Sequence, residues 1–150
     1  MKRAFRTLAH GTLLASLALS SACSILPKGD PQDVYRLPAA HSPGSATRAP
    51  AVSWSLRVSK PQASDVLNSS RIAVIPQGDL ISSYKASRWS DRAPMLLRNR
   101  LLDGFAEDGR VQLLSTDDAN LQTDLELAGN LQAFQAEYQG NSVQVVIRLD

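Results

Sequence analysis

The sequence changes character near residue 50, and this change leaves only about its last hundred residues for a folded core. Residues 24–50 contain five prolines and many Ser, Ala and Thr residues. Proline removes backbone donors, and such a composition buries too little apolar surface to offset the chain entropy lost on folding. We interpret residues 23–50 as a tether and residues 51–150 as one domain with a single core.

Residues 1–22 have the three parts of an export signal. A basic start with Lys2, Arg3 and Arg6 is followed by a short apolar run over residues 11–19 and by small residues at 20–22. The apolar run is about half of the roughly 20 residues that a membrane span needs. The sequence therefore predicts a cleaved signal and not a transmembrane helix.

The only cysteine of the chain, Cys23, directly follows these small residues. This arrangement resembles the lipobox of bacterial lipoproteins, although Ser20 stands where that motif usually has leucine and Leu19 lies one place earlier. An ordinary secretory signal with a chance cysteine is the alternative. We favour lipidation at Cys23, because a lone exposed thiol in an exported protein is a reactive liability. Two or three acyl chains would anchor the chain firmly, since each buried methylene contributes about 0.8 kcal/mol.

The net charge of the chain depends on its signal. The whole sequence has 16 basic and 14 acidic side chains. Without the three basic residues of the signal, 13 basic residues remain against 14 acidic ones, a net charge of about −1. Nucleic-acid binding needs a concentrated basic face, so the sequence predicts no nucleic-acid partner.

Apolar patterns predict several strands. Alternation over residues 54–58 indicates a half-buried strand, and the apolar run over 71–75 indicates a central strand. Residues 80–84 are expected to pair with that run through a Pro-Gly turn, and residues 111–115 to form a further strand. Residues 63–67 are expected to form a single helical turn. Residues 34–37 form a short β-prone segment within the tether, and we expect this segment to dock as an edge strand.

One helix is predicted after residue 90. Ser90 or Asp91 is expected to cap it, Pro94 to lie in its first turn and Gly109 to end it. The apolar positions of this helix recur every four residues and are Leu97, Leu101 and Phe105. The residues expected to face water are Arg98, Asn99, Asp103 and Glu107.

Residues 125–149 have the pattern of a long hairpin with a turn at Gly140–Asn141. Gly129 is placed where a bulge or a close backbone approach is expected. Val143, Val145 and Ile147 alternate with other residues in its second arm. The sequence stops at Asp150 in mid-strand, so we expect a chain that is truncated at its carboxyl end.

The residue inventory argues against catalysis. The two histidines are His10, in the signal, and His41, in the tether, so residues 51–150 have neither His nor Cys. This excludes the common zinc sites and histidine-based triads there. Asp117–Asp118 is a candidate for a divalent cation, but a solvated loop is the better interpretation. The sequence has no Gly-rich phosphate loop, so ATP binding by this chain is not expected.

Several segments together resemble the ABC-type transport auxiliary lipoproteins, which include the paraquat-inducible protein C type. The segments are residues 71–76, Tyr84, Arg88–Trp89 and the helix over 94–102. Tyr35–Leu37 is similar to the opening Tyr-x-Leu of that family, and residues 125–134 are similar to its x-L-x-G-x-L-x-x-F strand. The resemblance covers most of residues 35–150, and its motifs are hydrophobic patterns without a catalytic signature.

The resemblance implies an α/β fold: a mixed β-sheet with helices packed on it in a single domain, in a chain that is truncated at its carboxyl end relative to other members. It implies an auxiliary role without enzymatic activity or cofactor, at the periplasmic face of the outer membrane. The implied partners are an MCE-domain protein and the subunits of an inner-membrane ABC transporter, which together move lipids or other hydrophobic molecules. Some members form rings, which implies a homo-oligomer. Ser24 after the cysteine resembles a signal for sorting to the outer membrane.

Arg88 and Trp89 are the candidate partner-binding residues, because Arg and Trp are enriched at binding hot spots. The alternative is a Trp89 packed over the helix with Arg88 paired to an acid. Two other functions stay open from the sequence. A stand-alone lipid-binding lipoprotein would need an apolar cavity, and an assembly factor of another envelope machine would differ in its partners.

Overall fold

The computed structural model describes residues 31–38 and 50–150. Of these residues, those from Gln32 onward belong to one compact unit. The strands are β1 (Asp33–Tyr35), β2 (Leu56–Val58), β3 (Gln62–Ala63), β4 (Arg71–Gln77), β5 (Leu80–Trp89), β6 (Leu114–Thr116), β7 (Leu125–Leu127), β8 (Asn130–Gln139) and β9 (Ser142–Leu149), and the helix is α1 (Ala93–Asp108). The fold is mixed α/β, as predicted. The predictions on Cys23 and on the export signal lie outside the described residues.

A six-stranded mixed sheet forms the body of the domain. Its order is β1-β5-β4-β8, with β9 on the free edge of β8 and β3 beside the start of β8. The apolar run of β4 is central because it pairs antiparallel with β5 and parallel with β8. Residues 34–37 were predicted to dock as an edge strand, and the strand β1 indeed pairs parallel with the end of β5.

The turns between β4 and β5 and between β8 and β9 lie at the same end of this sheet, which we call the hairpin end. β4 and β8 are parallel, so Gln77 and Gln139 finish at that end. Gly78 and Gly140 lie in the two turns at positive φ, 52° and 60°, a conformation that glycine adopts without steric cost. The predicted turn at Gly140–Asn141 is confirmed.

A second sheet of three parallel strands has the order β6-β2-β7. The sequence predicted β7 as the first arm of a long hairpin, but β7 pairs with β2, and only β8 pairs with β9. Gly129 separates β7 from β8. A Cβ atom there would collide with the carbonyl oxygen of Asp150, so the predicted close approach is confirmed. Residues 63–67 were predicted as a single helical turn. Ala63 ends β3, and the turn that follows is closed by the N–H of Asn68, which donates to the carbonyl of Ser64 at 2.7 Å, the bond of one helical turn.

The helix α1 ends where it was predicted to end, but its capping residue at the start differs from the prediction. Its N-cap is Arg92, without a capping side chain, so neither Ser90 nor Asp91 has the predicted role. Pro94 lies in the first turn, where its missing N–H costs nothing. Gly109 ends the helix in the left-handed conformation at φ 72°, and its N–H donates to the carbonyl of Phe105, as predicted.

Two apolar clusters bridge the helix and the sheets. The first is formed by Leu67, Ala73, Ala93, Leu131 and Phe134, with Leu37, Trp89 and Leu97 packed against it. The second is formed by Leu56, Val58 and Val111, with Leu101, Leu102 and Phe105 packed against it. The predicted apolar face of α1 therefore does pack on the sheets, but it is shared between both clusters. Across residues 31–38 and 50–150, no helix is long and apolar enough to cross a membrane.

Candidate functional site

Arg88 and Trp89 lie at the end of β5, between β1 and β4. Val34 and Tyr35 of β1 pair with them, and the N–H of Ser90 donates to the carbonyl of Tyr35 at 2.7 Å. β1 therefore covers the strand edge beside both candidate residues. Val34 and Tyr35 are themselves about half exposed, at 50% and 49%. The outer edge of this region is thus formed by β1.

The side chain of Trp89 is half-buried and packs against the first cluster. Its ring meets that of Phe134 edge to face, with centroids 5.8 Å apart and an interplanar angle of 61°. Its Nε1 is buried without a hydrogen-bond partner among the described residues. Arg88 donates through Nη1 to the carbonyl of Trp89 at 3.4 Å. Trp89 therefore contributes to the core, and a partner-binding role for the two residues remains a proposal.

Arg98 is the most buried charged side chain of the described residues. It was predicted to face water, and this prediction is wrong, because the residue is only 5% exposed. Its Nη1 donates to Asp117 and to Asp118, each at 2.6 Å. A guanidinium can be buried at this position because the two carboxylates of the loop after β6 neutralise it.

This ion-pair cluster also decides the role of Asp117 and Asp118. The guanidinium of Arg98 lies where a cation bound by both carboxylates would lie. Among residues 31–38 and 50–150, no group of three or more His, Cys, Asp or Glu side chains is placed to hold a metal ion. The cluster therefore ties α1 to the loop after β6. We predicted that this loop is solvated, and in the structure Arg98 holds its two carboxylates.

The pKa of Asp117 reflects opposing effects. Burial raises this pKa, but the hydrogen bonds from Arg98 and from the N–H of Lys60 lower it by a larger amount. The pKa of Asp117 therefore lies below its usual value. For Arg98, burial lowers the pKa, and the hydrogen bonds to Asp117 and Asp118 raise it by more. Both residues are therefore charged at neutral pH.

A second polar contact ties β2 to β7. The N–H and the hydroxyl of Ser55 donate to one carboxylate oxygen of Asp124, at 2.8 and 2.7 Å. The N–H of Asp124 donates back to the hydroxyl of Ser55 at 2.9 Å. The backbone bond and then the hydroxyl bond from Ser55 lower the pKa of Asp124. The contact explains how two strands far apart in sequence keep their register.

Acidification should weaken the fold through Asp117 and Asp124. Both carboxyl groups have a lower pKa in the folded state than in the unfolded state, where it is about 3.9. Their stabilising contribution is therefore complete above about pH 4 and is lost as the pH falls through their folded values. Urea unfolding between about pH 7 and pH 2.5 measures this loss.

The control for this pH dependence is the variant Asp117→Asn with Asp124→Asn. Asparagine does not titrate in this range, so the variant should lose less stability on acidification than the natural chain. An equal loss in both proteins would show that other carboxyl groups carry the effect.

Two open clefts lie on the described domain, and both have mixed linings of polar and apolar side chains. The first has a volume of about 420 Å³ and is lined by the apolar Val66, Ala73 and Ile81 as well as by polar residues that include Asp65 and Arg71. The second, of about 460 Å³, lies between β3 and the start of β8 and is lined by Gln62, Ser64, Asn130 and Gln132, among others. An apolar cavity was the expected feature of a stand-alone lipid carrier, whereas these two clefts are open and of mixed lining.

The described residues thus form a mixed α/β domain in which Arg98, a buried charged side chain, is paired with Asp117 and Asp118. The sequence profile of the ABC-type transport auxiliary lipoprotein components matches residues 35–149. The chain belongs to this family, as the resemblance of its segments indicated. The family is described as the ABC-type transport auxiliary lipoprotein component.

Solved structures support the same fold. The crystal structure of protein XCC0632 from Xanthomonas campestris, assigned to the family DUF330, is 27% identical, with a TM-score of 0.67. The match covers 78% of this chain and 64% of that one, so the chain spans less than two thirds of its length. An uncharacterised protein of known structure is 13% identical over 81% of this chain and 78% of its own, with a TM-score of 0.53, and supports the fold alone. No curated protein matches the chain.

Proposed function

We propose that this chain is a lipoprotein anchored in the outer membrane that serves as the periplasmic docking component of an MCE-type ABC transport system. The observation that carries the proposal is the family match over residues 35–149. The cargo would be lipids or other hydrophobic molecules, and the chain would act by position and contact. Its partners would be the MCE-domain protein and the inner-membrane ABC subunits.

One feature of the sequence and one of the structure support a role without catalysis or cofactor. Residues 51–150 have neither His nor Cys, so the usual nucleophile and base pairs are missing from that segment. The adjacent acidic residues Asp117 and Asp118 both form ion pairs with Arg98. Contact surfaces are therefore the better basis for a function than reacting groups.

The anchor is the part of the proposal that a substitution tests most directly. Cys23→Ser should move the protein from the membrane fraction to the soluble periplasmic fraction, because the acyl chains hold it with about 0.8 kcal/mol per buried methylene. Fractionation with immunodetection measures the shift. Ser24→Asp is the matched control, since it keeps the thiol and should alter only the membrane in which the protein is found.

Crosslinking in the native host tests the partner. Mass spectrometry of the crosslinked, membrane-extracted protein should identify an MCE-domain protein and an acylated Cys23. A stoichiometric lipid without a protein partner would favour the lipid carrier instead. An unmodified Cys23 in the soluble periplasm would contradict the anchor.

A further inference from the structure

Two arginines lie directly opposite each other on neighbouring strands of the six-stranded sheet. Arg71 begins β4, Arg88 lies one residue before the end of β5, and the antiparallel register pairs them. Directly opposite side chains project from the same face, with Cβ atoms about 5 Å apart. We call these two residues the arginine pair. Because like charges in this position repel each other, the pair destabilises the fold unless an anion neutralises it.

The arginine pair lacks the carboxylate partners that other arginines of the domain have. Those that form an ion pair with an aspartate are Arg98, Arg100 and Arg110. In the part of the chain that the structure describes, neither Arg71 nor Arg88 forms such a pair. Arg88 is half-buried, and its hydrogen bond to the carbonyl of Trp89 uses Nη1 at a distance of 3.4 Å. A guanidinium has five N–H donors, so most of them remain for a ligand.

The backbone beside the arginine pair departs from a regular strand. Between the pair Ala73–Ser83 and the arginine pair, β4 advances by two residues and β5 by five, so β5 bulges outward. Ala86 lies within this bulge at a positive φ of 55°, a conformation that is unfavourable for a residue with a Cβ atom. Bulges and strained residues of this kind are frequent beside active sites and ligand clamps, where they re-aim side chains.

The first of the two open clefts lies beside Arg71 and offers hydroxyl groups to a ligand. Its lining includes Ser69 and Ser83 together with Arg71. The backbone N–H of Arg71 donates to Oγ of Ser69 at 3.1 Å, which leaves the O–H of Ser69 as a donor. Val66 and Ile81 line the same cleft, so an organic substituent of a bound anion would meet apolar side chains there.

A phosphate group fits the arginine pair better than a carboxylate does. A phosphate monoester carries a charge of about −1.5 to −2 at neutral pH and has three strong acceptor oxygens, whereas a carboxylate carries one charge on two oxygens. One phosphate therefore neutralises both arginines, and one carboxylate does not. The planar guanidinium also matches the oxygens of phosphate in a bidentate geometry.

We propose that the arginine pair is a binding site for a phosphate group, with the hydroxyl of Ser69 as an additional donor. The site goes beyond the proposed function, and it requires neither the anchor at Cys23 nor a protein partner. Asp65 lines the same cleft and is not ion-paired to Arg71 among the described residues. Its negative charge opposes a bound phosphate, so removing that charge should strengthen binding.

Isothermal titration calorimetry of the full chain with inorganic phosphate and with butyl phosphate tests the site. The chain is kept in an uncharged detergent without phosphate, at about pH 8, where a phosphate monoester is a dianion. Phosphate should bind with one-to-one stoichiometry, and Arg71→Gln or Arg88→Gln should weaken binding by about tenfold or more, because each removes charge-assisted hydrogen bonds. Arg148→Gln is the matched control, since it removes the same charge from β9, where Arg148 pairs with Ala133.

The two probes distinguish the source of the phosphate group. Tighter binding of butyl phosphate would assign the site to an organic phosphate whose substituent lies in the first cleft, and tighter binding of inorganic phosphate would assign it to the free ion. Either result supports the proposal, as does stronger binding after Asp65→Asn. The absence of saturable binding of both probes, or an equal loss after Arg148→Gln and after Arg71→Gln, would overturn it.

Urea unfolding provides a second measurement, which an arginine with a merely structural role would not affect in the same way. At low ionic strength and without phosphate, Arg71→Gln should raise the urea midpoint, because it removes the repulsion within the arginine pair. At constant ionic strength, phosphate should raise the midpoint of the natural chain more than that of the variant, since it binds the folded state. A lower midpoint for Arg71→Gln without phosphate would overturn the proposal, because Arg71 would then have a stabilising partner within the chain.

Discussion

Phe134→Ala should lower the free energy of unfolding by about 4 kcal/mol. Phe134 is 6% exposed in the first cluster, and its ring makes the edge-to-face contact with Trp89. The substitution removes the apolar ring and leaves a cavity between β8 and the end of β5, which the neighbouring strands cannot close without breaking their pairing. Urea unfolding measures the loss, and the fluorescence of Trp89 reports the change at the site.

Two further variants test whether the loss comes from packing at Phe134. Phe134→Leu keeps most of the volume and should cost only about 1 kcal/mol. Leu113→Ala should have almost no effect, because Leu113 is 50% exposed. A loss after Phe134→Ala no larger than that after Leu113→Ala would contradict the position of Phe134 in the core.

The double substitution of Asp117→Asn and Asp118→Asn should destabilise the fold by about 3 kcal/mol. The guanidinium of Arg98, only 6% exposed, would remain buried without an opposite charge. The single substitution of Asp118 should cost less, because its side chain is 65% exposed and Asp117 would still pair with Arg98. Urea unfolding at neutral pH compares these two variants with the natural chain.

Removing Arg98 as well provides the control for this prediction. Arg98→Met in the background of both asparagines leaves no buried charge, so it should recover part of the lost stability. If the triple variant is less stable than the double variant, the contacts of the Arg98 stem matter more than its charge.

The helix shows both the success and the limit of prediction from the sequence. Its apolar positions and its end at Gly109 follow from a local repeat and a local conformation, and both are confirmed. The burial of Arg98 depends on Asp117 and Asp118, which approach it from a different element. A pattern within the helix has no information on that contact, so the charge was assigned to the surface.

Strand pairing was predictable only where the partners are close in sequence. The turns at Gly78 and Gly140 join neighbouring strands, so both hairpins could be recognised. β7 instead pairs with β2, about 69 residues away, and the Ser55–Asp124 contact that holds them is a pair of ordinary polar residues in the sequence. The alternation of Val143 and Val145 predicted a strand, but nothing in the alternation indicated that this face would be exposed.

The candidate site was predicted to different degrees. Arg88 and Trp89 could be singled out by residue type, and the structure places them beside β1.

The parallel docking of β1 on β5 has a mechanical consequence. A force on the chain before Asp33, directed out past the hairpin end, acts along the axis of β1 and across its hydrogen bonds to β5. In that shear geometry the bonds share the load, whereas a force perpendicular to the strand would open them one at a time. Leu37, packed against the first cluster just after β1, adds resistance to the same pull. The hydrogen bonds between β1 and β5 would therefore resist such a pull together and not one after another.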